Sequence, residues 1–175
     1  MPPAKKQATL VIDLGTSSTK VFLFNFLDHV VFKTREKHSL RHPKPKHVEV
    51  DALSIAHTCK KLMGQAVNFS RTKNIQISTA GFAFQRSTFL FWDRKTLKPL
   101  TPALSWQDSR ATNIVNQTKR HSKTIFKKTG APLNAHFGGP KFAHLVNHSK
   151  RLKKKVKEGT VVFGTISAFL TQHLT

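Results

Sequence analysis

The stretch from Ala8 to Phe26 constrains the fold of this chain more than any other. An apolar run, Ala8 to Ile12, ends at an acid and a short turn, and a second apolar run, Val21 to Phe26, follows at once. Two short apolar runs so close together predict neighbouring strands joined by a tight turn. The turn is polar and consists of Asp13, Gly15, Thr16, Ser17, Ser18, Thr19 and Lys20.

The composition of this turn permits two interpretations. Glycine lets the backbone approach a bound group, and successive turn N–H groups with hydroxyls form a cradle for an anion. From the end of the first strand, the Asp13 carboxylate could face a hydrated Mg²⁺ beside bound phosphates. Serine and threonine are also ordinary turn formers, so the composition alone leaves the choice open.

The pattern after this hairpin predicts an α/β chain. A third strand, His29 to Lys37, would complete three antiparallel strands, and a proline-containing loop separates it from a helix capped by Asp51. A buried strand is expected over Asn74 to Phe84, where Gly81 would mark a close backbone approach. The remaining expected elements are strands at 87–92, 99–106 and 160–163, helices at about 108–119, 122–128 and 141–147, a basic helix ending at Gly159, and a last element at 164–174.

Length and composition indicate a globular protein with an unusual charge. The 175 residues are 38% hydrophobic, and 30 Lys and Arg against 8 Asp and Glu give a formal charge of +22. Such a charge attracts polyanions, so a nucleic-acid-binding protein is one hypothesis. The basic residues are scattered, however, and the dense run Lys150 to Lys157 has the pattern of a solvated helix face. No apolar run approaches the roughly 20 residues that a membrane span needs.

Two smaller features bear on location and chemistry. The N-terminus shows no signal-type apolar region, which favours an intracellular, cytoplasmic protein. The single cysteine, Cys59, has the spacing of a helix core and is expected to serve packing. The histidines show no metal-binding spacing, so no zinc site is expected.

Five sequence blocks in order carry a resemblance to a known family. Asp13-x-Gly15-Thr16-x-Ser18 resembles the first phosphate motif of the sugar kinase, Hsp70 and actin superfamily. Four later blocks resemble the FGGY family of carbohydrate kinases, close in pattern to its glycerol kinases, and the resemblance runs from about Thr9 to Thr175. These blocks are His42 to Ile55, Gln85-Arg86, Ser105 to Ala111, and Lys127 to Leu145 followed by Val161 to Leu170.

The resemblance implies a fold and a set of boundaries. It predicts an RNase H-like, actin-like ATPase domain over residues 8–175, with a short basic tail at 1–7. The mixed sheet would open with three antiparallel strands and be flanked by helices. This would be the first half only of a two-domain kinase, and the ending within an amphipathic element reads as cut.

The resemblance also implies ligands and site residues. ATP with Mg²⁺ would be bound at Asp13, Gly15, Thr16, Ser17, Ser18 and Lys20, with Asp13 reaching the metal through water. A small sugar or polyol would be bound by Gln85, Arg86, Trp106 and His136. Arg86 can donate a forked pair of hydrogen bonds to vicinal hydroxyls, and Trp106 offers a flat apolar face.

Other features limit what this chain would do alone. The family's catalytic base belongs to the second domain, so no catalytic residue is assigned here, and a separately encoded C-terminal half could restore turnover. Ser87 and His136 stand where glycerol kinases have Glu and Tyr, which makes a larger sugar or polyol an alternative to glycerol. Glu49, Asp51, Asp108 and Arg110 are interpreted as structural, the last two at a helix start. The alternative hypothesis is a basic nucleic-acid-binding or non-catalytic interaction protein on an RNase H-like core.

Overall fold

The structure is a computed structural model that describes residues 6–174. Its contacts divide the chain into two compact units, one formed by the residues up to Ser39 with Leu53–Gln85, the other by Leu40–Ala52 with Arg86–His173. The strands are β1 (Lys6–Leu14), β2 (Ser18–Asn25), β3 (Val30–Lys37), β4 (Glu49–Val50), β5 (Ile75–Phe84), β6 (Phe89–Asp93), β7 (Ala103–Leu104) and β8 (Val161–Thr165). The helices are α1 (Ala52–Thr72), α2 (Thr112–Thr118), α3 (Ser122–Thr129), α4 (Gly138–Asn147), α5 (Lys150–Lys157) and α6 (Ile166–Leu174), with a 3₁₀ turn at Lys119–His121.

The first unit is a mixed four-stranded sheet with α1 on one face. The strand order is β3-β2-β1-β5, with β1 antiparallel to β2, β2 antiparallel to β3, and β1 parallel to β5. Alternate residues of β1 and β2 are buried, as expected when one sheet face is covered. Phe32 of β3 lies against Phe69 of α1, with ring centroids 4.9 Å apart. The predicted antiparallel opening and mixed sheet are confirmed.

The α1 helix buries a stripe of apolar residues at helical spacing: Ile55, Ala56, Cys59, Leu62 and Ala66. Cys59 is 1% exposed, and burial raises the pKa of its thiol, because a thiolate is disfavoured away from water. A thiol held in its neutral form is a poor nucleophile. The prediction that Cys59 serves packing is therefore confirmed.

The second unit has its own antiparallel sheet, in the order β4-β7-β6-β8. Phe91, Leu152 and Val161 form a core cluster, against which Phe142 and Phe163 also pack. Leu152 is the buried residue of α5, whose N-cap Ser149 accepts a hydrogen bond from the Leu152 amide. The basic run at 150–157 is thus an amphipathic helix that points its charges outward, as predicted.

Several expected features differ in the structure. The strand predicted over 99–106 is reduced to Ala103–Leu104, and the helix predicted from 108 begins at Thr112. The strand β5 is mostly exposed rather than buried, because it is the outer strand of its sheet and is paired to β1 alone. A Cβ built at Gly81 meets nothing within 4 Å, so this glycine marks no close backbone approach.

Candidate functional site

The turn between β1 and β2 is tight, and hydrogen bonds to His38 hold it on one side. The Gly15 amide donates to the carbonyl of Ser18 at 3.0 Å, and a Cβ on Gly15 would lie 3.3 Å from that oxygen. The amide of His38 donates to the carbonyl of Ser17, and the His38 ring bonds the hydroxyl of Thr19. These bonds anchor the turn, while Ser17 remains exposed and Ser18 and Thr19 are buried.

Asp13 and Lys20 face each other across the hairpin. They are register partners, and Lys20 Nζ lies 2.9 Å from Asp13 Oδ2. Their side chains are 35% and 39% exposed, so water reaches both. Among residues 6–174, no group of three or more His, Cys, Asp or Glu could hold a metal ion. A single accessible carboxylate fits a Mg²⁺ that keeps most of its waters, as this ion usually does beside phosphates.

Gln85 follows β5 and continues its pairing with β1. Its amide donates to the carbonyl of Leu14 at 2.8 Å. The side-chain oxygen of Gln85 is buried and accepts no hydrogen bond from residues 6–174. Because a buried acceptor without a donor is costly, this oxygen suits a ligand hydroxyl.

The second unit carries the other predicted substrate residues. Trp106 is 41% exposed, and its ring centroid lies 6.4 Å from that of His136. His136 Nδ1 also hydrogen-bonds the carbonyl of Trp106. Arg86 is exposed and makes no hydrogen bond or ion pair within residues 6–174. The structure therefore brings Trp106 and His136 together and leaves the Arg86 donors available.

Sequence reasoning missed Lys141, which is fully buried on α4. Its ammonium donates to the carbonyl of Ser87 at 3.0 Å and to that of Ser105 at 2.6 Å. Burial lowers the pKa of Lys141 to about 8, partly offset by the charge of Asp108. The block from Lys127 to Leu145 that resembles the family contains this lysine, but no local pattern predicts its burial.

A profile of the FGGY family of carbohydrate kinases, N-terminal domain, matches residues 8–175. The chain belongs to this family. The matched range includes the turn at Asp13 to Lys20 and the substrate residues predicted in the second unit. The comparisons give no support to the nucleic-acid-binding or interaction-protein alternative.

Curated relatives of this FGGY domain are glycerol kinases. The chain is 34% identical over 166 residues to the glycerol kinase of Acidiphilium cryptum. This alignment covers 94% of the chain and 33% of the Acidiphilium protein. The chain is 31% identical over 177 residues to glycerol kinase 2 of Streptomyces avermitilis, covering 100% of this chain and 35% of the relative. The chain thus spans about a third of the length of these relatives.

Solved structures give the same assignment of the fold. The Plasmodium falciparum glycerol kinase, solved with ADP, superposes with a TM-score of 0.90 at 31% identity over 94% of this chain and 33% of that one. The xylulose kinase from Rhodospirillum rubrum superposes with a TM-score of 0.84 at 16% identity over 94% and 33% of the two chains. The predicted RNase H-like, actin-like ATPase fold is confirmed.

A structural ion network in the second unit of this FGGY domain consists of Glu49, Asp108 and Arg110. Asp108 is 0% exposed and accepts from the Val48 amide at 2.7 Å and from the guanidinium of Arg110. Arg110 also donates to Glu49 at 2.7 Å, and these carboxylates raise its pKa despite burial. The structural interpretation is confirmed, but the expected position at a helix start is wrong: α2 has Ala111 as its N-cap, and Asp108 anchors a loop.

None of the helices in the described part of the chain is long and apolar enough to cross a membrane.

Proposed function

We propose that this chain is the N-terminal part of an ATP-dependent carbohydrate kinase, which transfers the γ-phosphate of ATP to a hydroxyl of a small polyol or sugar in the cytoplasm. The observation that carries the proposal is the match of residues 8–175 to the N-terminal domain of the family. The catalytic base lies outside these residues, and a separately encoded C-terminal half is the partner that would restore turnover.

The turn from Asp13 to Lys20 would bind the phosphates. Thr16 and Ser17 lie at its tip, where backbone N–H groups and hydroxyls can donate to phosphate oxygens. A hydrated Mg²⁺ beside the phosphates would be bound through water by the Asp13 carboxylate, whose Oδ2 lies 2.9 Å from Lys20 Nζ. Released from that ion pair, Lys20 is free to neutralise phosphate charge, the main requirement of phosphoryl transfer.

The polyol would be held by residues that offer donors, an acceptor and an apolar face. Arg86 supplies a forked set of N–H donors for vicinal hydroxyls, and Gln85 supplies a buried acceptor. The half-exposed ring of Trp106 covers the carbon backbone, while His136 takes the place of the tyrosine found in glycerol kinases. Ser87 in place of glutamate removes one of the groups that would hold glycerol, so a larger sugar or polyol is the alternative substrate.

The test supplies the C-terminal part of a relative as a second polypeptide. The chain is co-expressed with the C-terminal two-thirds of the Acidiphilium cryptum glycerol kinase, and ADP release is followed with glycerol and with xylulose. We expect release that depends on the polyol and is lost in an Arg86→Met variant. Exposed Arg71, replaced by Met, is the matched control and should leave the rate unchanged. Co-purification of the two polypeptides without polyol-dependent ADP release would contradict the proposal.

A further inference from the structure

We propose that Lys141 is a positioning residue, whose buried ammonium ties together the two backbone segments that carry Arg86 and Trp106. The inference rests on the proposed function, because it assigns the support of that function's substrate residues. Its carrying observation is the pair of hydrogen bonds from Lys141 Nζ to the carbonyls of Ser87 and Ser105. Each carbonyl belongs to the residue directly next to a substrate candidate.

The two carbonyls lie 18 residues apart in sequence, at positions 87 and 105. The pairing of β6 with β7 joins the neighbouring residues Phe89 and Leu104, and Lys141 extends that link beyond the strand ends. Ser87 precedes β6 and Ser105 follows β7, so the chain between them returns through a turn. An ammonium with three donors can hold two carbonyls at once, and a charged donor bonds about twice as strongly as a neutral one. The 0% exposure of Lys141 keeps water from competing for these carbonyls.

The backbone conformation of Ser87 supports this role of the contact. Ser87 has φ of 61°, a left-handed conformation that residues other than glycine seldom adopt. Such a conformation is costly, and it persists only when the surrounding structure holds it. The bond from Lys141 to the Ser87 carbonyl supplies that hold, and it therefore sets the direction in which the preceding Arg86 leaves the chain.

A buried lysine without such a role would be unexpected. Removing an ammonium from water is costly, and an apolar side chain of similar volume usually serves stability as well. Lys141 instead sits 5.9 Å from the centre of the Phe89 ring and makes no ion pair at hydrogen-bond distance among the described residues. Its ammonium donates to the two carbonyls instead of to a carboxylate, which supports a role in positioning the backbone.

The test uses the two tryptophans as separate probes. The chain is labelled with 5-fluorotryptophan, and the ¹⁹F resonances of Trp92 and Trp106 are assigned with a Trp106→Phe variant. Trp92 is 1% exposed in the core and reports on folding, while Trp106 reports on the site. In Lys141→Met we expect the Trp106 resonance to shift or broaden and that of Trp92 to stay in place.

The matched control is Phe142→Leu, on the same helix. Phe142 packs on Phe91 with ring centroids 5.4 Å apart, so its truncation destabilises α4 without touching either carbonyl. We expect the Trp106 resonance to stay unchanged in this variant. An unchanged Trp106 resonance in folded Lys141→Met, or an equal change in Phe142→Leu, would overturn the proposal.

The unaltered protein provides a second measurement, which decides the matter if Lys141→Met does not fold. With ¹⁵N-lysine and ¹³C′-serine labelling, couplings across the hydrogen bonds should connect Lys141 Nζ to the Ser87 and Ser105 carbonyl carbons. Absence of both couplings would refute the contact.

A measurement of turnover distinguishes this inference from the kinase proposal. In the reconstituted enzyme we expect Lys141→Met to lower kcat/KM by about 10- to 100-fold for whichever of glycerol and xylulose the unaltered enzyme phosphorylates, because reacting groups lose their alignment. Without turnover in the unaltered enzyme, the kinase proposal fails, while the fluorine and coupling results still decide the role of Lys141 in positioning Trp106. Turnover equal to wild type in Lys141→Met would contradict the positioning role alone.

Discussion

Replacing Asp108 by alanine should destabilise the second unit more than any exposed charge change in it. The carboxylate is 0% exposed and accepts from the Val48 amide at 2.7 Å. It also accepts from the guanidinium of Arg110, which is itself 8% exposed. Alanine would leave that amide unpaired and Arg110 with Glu49 as its remaining partner in the network.

The magnitude follows from these two losses. An unpaired buried donor costs about 1–3 kcal/mol, and removing one partner of a buried ion pair costs about 3–5 kcal/mol. Because the two losses share one side chain, we expect the free energy of unfolding to fall by about 3–5 kcal/mol in total. The control is Glu158→Ala, which breaks the ion pair with Lys154; the side chains of Glu158 and Lys154 are 46% and 78% exposed. An exposed pair of this kind contributes less than about 1 kcal/mol.

Urea unfolding followed by tryptophan emission measures both variants. Trp92 and Trp106 both belong to the second unit, so emission reports on that unit. With a slope of about 2 kcal/mol per M, the expected loss moves the midpoint by roughly 2 M for Asp108→Ala and by less than about 0.5 M for Glu158→Ala. A midpoint shift of equal size in the two variants would refute the reasoning from burial.

Three further predictions concern other positions. Gly138→Ala should lower the free energy of unfolding in urea by about 1–3 kcal/mol, because the new Cβ would lie 2.8 Å from the Phe89 ring. A Cβ at Gly139 meets nothing within 4 Å, so Gly139→Ala should show no such loss. Equal losses in the two variants would contradict the clash. Ser149→Ala should lose about 1 kcal/mol by the same assay through the lost N-cap of α5, and a neutral result would argue against the cap. Burial lowers the pKa of His38 below its usual 6.5. The stability that neutral His38 contributes is therefore fully present above about pH 6.5 and is lost as the pH falls through the lower folded-state pKa. A pKa above 6.5 in an NMR titration of His38 would show that this direction is wrong.

The elements that the sequence by itself determined are those governed by local periodicity. The alternation of apolar residues in β1 and β2 and the helical stripe of α1 depend on neighbours within a few residues, so pattern and structure agree. The left-handed Gly130, which ends α3 with φ of 68°, is likewise a local C-cap signal. The ordered motifs identified the FGGY family from the same kind of local information.

Tertiary structure alone decided which polar groups are buried and what they hold. Lys141 and Asp108 read as ordinary charged residues near helix starts, yet both are 0% exposed. Strand β5 reads as buried, yet it lies at the outer side of its sheet. Burial depends on segments tens of residues apart, such as Ser87 and Lys141, and the strong bonds of a buried charge form only after those segments meet.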